Sequence, residues 1–64
     1  MKLKLVETFL VQQCVTEDGN HYIKEADETW WEPDLLEEWV QITDQKFLQE
    51  LDESLATYWK DNSN

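Results

Sequence analysis

Cys14 is the only cysteine in this chain of 64 residues, and that fact limits how the chain can be held together. A domain of this size buries only about 60% of its unfolded surface and is marginal without a staple. One cysteine cannot close an internal disulfide, and no Cys-x-x-Cys ligand pair is present. Side-chain packing must therefore make the core. Four tryptophans in so short a chain supply unusually large apolar area per residue. The expectation is a small acidic domain spanning residues 1–64, or a subunit that completes its core against another chain.

Charge restricts the partners next. Five lysines, no arginine and fifteen carboxylates give a formal net charge of −10. Solubility of a small domain asks for a net charge of only about 2 to 8 in magnitude, so the excess adds self-repulsion without need. Such a chain will not bind nucleic acid or an anionic membrane directly, and its electrostatic complement is a basic surface. No apolar run approaches the length of about 18 residues that a membrane span requires. The opening residues "MKLKLVETFLVQQC" place two lysines before an apolar run, but Glu7 interrupts it and Gln12 and Gln13 stand where a cleavage site needs small residues. With one reduced cysteine and no export signal, the expected location is cytoplasmic.

The chain reads as α+β. Alternation from Leu3 to Val15, with the odd positions the more apolar, predicts one strand. Asp18-Gly19 marks a hairpin, and a return strand follows from His21 to Asp27, with a continuation toward Trp31. With Asp18 and Gly19 as the whole loop, one side of the ribbon pairs Val15 with Tyr22, Val11 with Ala26 and Phe9 with Glu28. The other side pairs Thr16 with His21, Cys14 with Ile23 and Val6 with Trp31; a three-residue loop would move this register by one. Pro33 reads as the first residue of a helix in which Leu35, Leu36, Trp39 and Val40 form the apolar face, although "EEWVQI" can instead form a third strand. The C-terminal helix is expected from about Asp44 to Trp59 or Lys60, capped by Thr43 and stapled by Ile42 and Phe47. Its stripe is Phe47, Leu48, Leu51, Leu55, Tyr58 and Trp59, and residues 61–64 should fray. One or two helices then cover the hairpin. No internal repeat is legible.

Catalytic chemistry has little to work with. His21 and Cys14, the usual base and nucleophile, lie diagonally on one hairpin face in the expected register. Thiol activation needs a positive neighbour, and Glu17, Asp18 and Glu25 surround them instead. No calcium ladder surrounds Gly19, and no cofactor or metal signature is present. The expectation is a chain that is not an enzyme.

What remains is "ADETWWEPDLLEEWV". From Glu25 to Glu38 there are seven carboxylates and no cation. Trp30 and Trp31 are adjacent, so on a strand they point to opposite faces and cannot both lie under one helix. The predicted partner-binding residues are Glu25, Asp27, Glu28, Glu32, Asp34, Glu37 and Glu38, with Trp30 or Trp31 as the anchor. Carboxylates spaced along a helix would imitate the dense negative charge of a nucleic-acid backbone. The expected function is a non-catalytic inhibitor or modulator that docks on the basic, nucleic-acid-binding site of a larger protein. Anti-restriction and anti-CRISPR proteins of phages are an analogy in size and charge, without any shared motif. The alternative is a structural or regulatory subunit whose aromatic surface is closed in a homodimer, its acids serving only solubility.

Overall fold

The alternation that begins at Leu3 does not run unbroken to Val15. In the computed structural model, which describes residues 1–62, it is cut into two strands, β1 (Leu3–Glu7) and β2 (Gln12–Thr16). The break is made by Glu7, whose Oε1 accepts the backbone N–H groups of Thr8 and Phe9 at 2.9 and 2.7 Å and turns the chain. Three further strands follow, β3 (His21–Lys24), β4 (Trp30–Pro33) and β5 (Trp39–Gln41), and then one helix, α1 (Gln45–Asn62). The strands form an antiparallel meander in the order β1-β2-β3-β4-β5. The molecule is therefore α+β; among the described residues it has five strands where a hairpin, with a third strand as the alternative, was expected, and one helix where one or two were.

One turn design is used three times. At Thr16, Glu25 and Asp34, each nine residues after the last, the residue's N–H donates to the carbonyl four residues on, and its own carbonyl accepts the N–H three residues on. This is the three-residue hairpin loop, a tight turn followed by a residue in the left-handed region. Gly19 (φ 88°), Glu28 (φ 70°) and Glu37 (φ 63°) occupy that position. Only the first turn has the residue that suits it, which is why Asp18-Gly19 was legible and the other two were not. Side chains substitute elsewhere. Asp27 Oδ1 accepts from the backbone N–H and the hydroxyl of Thr29, and Asp34 Oδ1 accepts from the N–H groups of Leu36 and Glu38.

These bonds correct the expected helix over residues 34–40. Asp34 binds the very amides it would have left to a helical first turn, so the segment becomes the β4–β5 hairpin. Pro33 ends a strand and does not start a helix. Glu25 with Thr29 and Ile23 with Trp31 are hydrogen-bonded pairs of the β3–β4 ladder, so the next would set Pro33 against His21. Proline has no N–H to give, and the ladder stops at Ile23.

The three-residue loop also shifts the first expected register by one. Cys14 pairs with Tyr22 and Val15 with His21, in place of Cys14 with Ile23, Val15 with Tyr22 and Thr16 with His21. Val6, Phe9 and Val11 are not ladder partners of Trp31, Glu28 and Ala26, because the ladders set Trp31 against Ile23 and end the β2–β3 pairing at Gln12 with Lys24. Cys14, Tyr22 and Trp30 then share one face with Leu3, and Ile42 joins them just beyond β5. Helix α1 covers this face with Leu51 and Leu55, both buried, and with half-buried Phe47 and Leu48. Phe47 meets Tyr22 edge-on at 5.6 Å between ring centres.

Two details of α1 differ from expectation. Asp44, not Thr43, caps it, with Oδ1 accepting from the N–H groups of Lys46 and Phe47. Ile42 still enters the core and Phe47 and Leu48 pack against it, so the apolar clamp at the helix entry survives the shift. Asp61 and Asn62 continue the helix instead of fraying, and Asn62 Nδ2 donates to the Tyr58 carbonyl at 2.8 Å. The expected fraying of Ser63 and Asn64 lies outside the described residues.

Candidate functional site

In an antiparallel meander, successive turns fall at alternate ends of the sheet. The β1–β2 and β3–β4 turns therefore share one end, and the β2–β3 and β4–β5 turns share the other. This divides the predicted binding residues. Glu25, Asp27 and Glu28 lie at the first end; Asp34, Glu37 and Glu38 lie at the second, beside Glu17 and Asp18. A four-residue strand and its flanks separate them, a span of roughly 15–20 Å at about 3.3 Å per residue. The carboxylates do not form a helical row, and the expectation of closely spaced charges along a helix at residues 34–38 is corrected. They form two charged ends.

Between those ends lies the sheet face that α1 does not cover. The ladders place Lys4, Gln13, Val15, His21, Ile23, Trp31, Pro33, Trp39 and Gln41 on it. Trp31 is half-buried there, and its indole N–H donates to Thr29 Oγ1 at 2.9 Å. Among the described residues, Glu7 is the only acid whose strand position falls on this face. The surface thus mixes apolar and polar residues, Lys4 on its β1 side among them, and is poor in acids between two acidic ends. None of the seven predicted carboxylates forms an ion pair among the described residues. Asp27 is held below the usual carboxylate range, first by the Thr29 side chain and then by backbone donors.

Two predicted residues lie apart from this surface. Trp30 is 1% exposed and belongs to the core. Its indole N–H donates to Asp52 Oδ1 at 2.8 Å, the same oxygen that Lys24 reaches at 3.1 Å, and the Lys24 ammonium stands 5.6 Å from the Trp30 ring centre. Of the two candidate anchors, only Trp31 is placed to meet a partner. Glu32 pairs with Val40 on the helix side and is half-buried. With Glu50 and Asp18 it reinforces the effect of burial in raising the Tyr22 pKa.

Sequence reasoning assigned Leu35, Leu36, Trp39 and Val40 to the buried face of a helix. All four are exposed: Leu35 at 102% and Leu36 at 80% on the turn, Trp39 at 42% and Val40 at 41% on the strand. The signal that could have found them was the pair of leucines inside Asp-Leu-Leu-Glu-Glu, once Asp34 is read as a turn residue. Phe9 and Leu10 are equally bare on the β1–β2 turn.

Cys14 and His21 do not meet. Cys14 is buried under α1, whereas His21, paired with Val15, lies on the opposite face and is exposed. Burial, partly opposed by Lys24, raises the Cys14 pKa to about 11, so the thiol stays protonated at neutral pH. Among the described residues no three of His, Cys, Asp and Glu converge to hold a metal ion, and no helix is long and apolar enough to cross a membrane. A cavity of about 580 Å³ lies between Met1–Leu3 and α1 from Glu50 to Asn62 and is lined by none of the predicted residues. Comparison with known protein families, with curated proteins and with solved structures finds no match to this chain.

Proposed function

We propose that this protein is a non-catalytic binding module that inhibits or modulates a larger protein by occupying a basic, nucleic-acid-binding surface. One observation carries the reading: two carboxylate-tipped ends flank an uncovered sheet face that is itself poor in acids and holds Trp31 and Trp39. Charged ends steer a basic partner into register, and the indoles supply the desolvated contact that gives an interface its energy. Imitation of nucleic acid then operates through two separated anionic clusters and not through a continuous row. Such a protein competes with nucleic acid for its partner and binds none itself. The phage anti-defence proteins remain an analogy in size and charge.

The test is capture from the source cell with the native chain and with the Glu37→Lys, Glu38→Lys double variant, followed by nucleic-acid binding measurements on the captured protein. The expected partner loses nucleic-acid affinity when the native chain is added, releases the chain as salt rises, and is not retained by the double variant. Retention unaffected by either salt or charge reversal would defeat the reading.

A homodimer closed over Trp31 and Trp39 is the second reading. It has the same exposed indoles in its favour, but it brings two chains of charge −10 together.

A further inference from the structure

We propose that the outer edge of β5 is a docking site for an extended segment of the basic partner, which pairs with it as a sixth strand. The proposal rests on the reading of a basic partner and adds how the contact is made. Three observations converge on this edge. The first is its backbone. Glu38 and Ile42 turn their hydrogen-bonding groups toward β4 through the bonds Asp34 N–H to Glu38 carbonyl and Ile42 N–H to Trp30 carbonyl. By the two-residue period, Val40 does the same, and Trp39 and Gln41 present their N–H and carbonyl groups outward. β5 is last in the sheet order, and among the described residues nothing pairs with those groups.

The second is the contrast between the sheet's two edges. β1 carries Lys4 with Lys2 beside it, its register slips between Leu5 and Glu7, and α1 packs on it. Lysines, an irregular register and helical cover are among the means by which proteins keep a sheet edge from recruiting another strand. β5 has none of these three, and its short length of three residues is the one protection it keeps. It is regular, and Trp39 and Val40 are exposed along it, with Leu35 and Leu36 at its entry.

The third is charge. Glu32, Asp34, Glu37 and Glu38 surround this edge, and no lysine lies between Lys24 and Lys46. A second copy paired edge to edge would set these four carboxylates against their own counterparts. An incoming strand that alternates basic and apolar residues would meet Glu32 and Glu38 with its side chains on the helix side and Trp39 with those on the other. Main-chain hydrogen bonds supply affinity in such strand addition, and the alternating side chains supply selectivity.

A synthetic peptide alternating Lys and Val is the probe, offered to the full chain at low salt and read by amide hydrogen exchange and tryptophan fluorescence. Binding should slow exchange at the Trp39 and Gln41 amides. Methylation of every peptide nitrogen keeps the charge but removes the donors, and should weaken binding about tenfold or more. Gln41→Pro removes an outward N–H without touching the β4 ladder, and should weaken the unmodified peptide in the same way. Undiminished binding of the methylated peptide, or protection that avoids Trp39 and Gln41, would overturn strand addition and leave the basic-partner reading standing. Failure of every lysine peptide to bind, including one with Gly in place of Val, would overturn both. Protection of the same amides that grows with protein concentration alone would assign the edge to a second copy and overturn the proposal.

Discussion

Asp52 is the residue on which most of the core's polar chemistry converges. One carboxylate oxygen accepts from both the buried indole of Trp30 and the ammonium of Lys24. Burial acts to raise its pKa, but those two donors and the Lys24 charge outweigh it, and the net shift is downward. A carboxylate whose folded pKa lies below its unfolded value stabilises the fold fully above the unfolded pKa and loses that contribution as pH falls through the folded one. Native protein should therefore lose stability below about pH 4 relative to Asp52→Asn, in which an amide oxygen still accepts from Trp30 but does not titrate. Asp52→Ala leaves the indole N–H without a partner and should cost about 1–3 kcal/mol at neutral pH. Chemical denaturation at several pH values checks both outcomes; identical pH profiles for native and Asn proteins would remove Asp52 from this role. That Trp30 and Trp31 divide between two faces was legible from their adjacency. Which of them went inward was not, because the answer lies in a partner 22 residues away.

Turns decide the architecture at the scale of elements. Three hairpins of one design pair residues of like parity, so the even positions Cys14, Tyr22 and Trp30 stay under the helix from strand to strand. A two-residue loop pairs even with odd, and that single difference put His21 on the wrong face in the sequence reading. Glu28 and Glu37 occupy left-handed positions that strain any side chain. Glu28→Gly and Glu37→Gly should each stabilise the protein by about 0.5–1 kcal/mol, less than the full strain because glycine loses more freedom on folding. Calorimetry should show an upward shift of a few degrees in Tm, at about 4–8 °C per kcal/mol for a domain of this size. Glu28→Ala and Glu37→Ala, which remove the charge and keep the strain, should not reproduce it. A helix was legible where an apolar stripe and a cap coincide, from Phe47 to Leu55. It was misread at residues 34–40, where proline, acids and apolar spacing satisfy helix rules and hairpin rules equally, and only the Asp34 hydrogen bonds separate them.

Over the whole molecule, the net charge of −10 acts within a radius of gyration of 11.4 Å. Screening shortens from about 30 Å at 0.01 M salt to about 8 Å at 0.15 M, so repulsion between the two acidic ends is felt in the first condition and suppressed in the second. Tm should rise with sodium chloride across this range, while affinity for a basic partner falls. The two opposite slopes, read by thermal unfolding and by titration, separate self-repulsion from partner attraction. A Tm that falls with salt would show that the carboxylates are stabilised by attraction within the fold. Acidity was legible as a total, but its division between two ends was not. That division follows from turn positions, and two of the three repeated turns lack the glycine that announces one.

Pro33 brings these scales together. By ending the β3–β4 ladder at Ile23, it leaves the tip from Pro33 to Trp39, among the described residues, with no strand pairing except that between its own two strands. Local opening takes least free energy where the fewest bonds hold a segment. That corner can swing or peel while the remainder keeps its packing, so an incoming chain would meet a pliable lip and not a fixed wall.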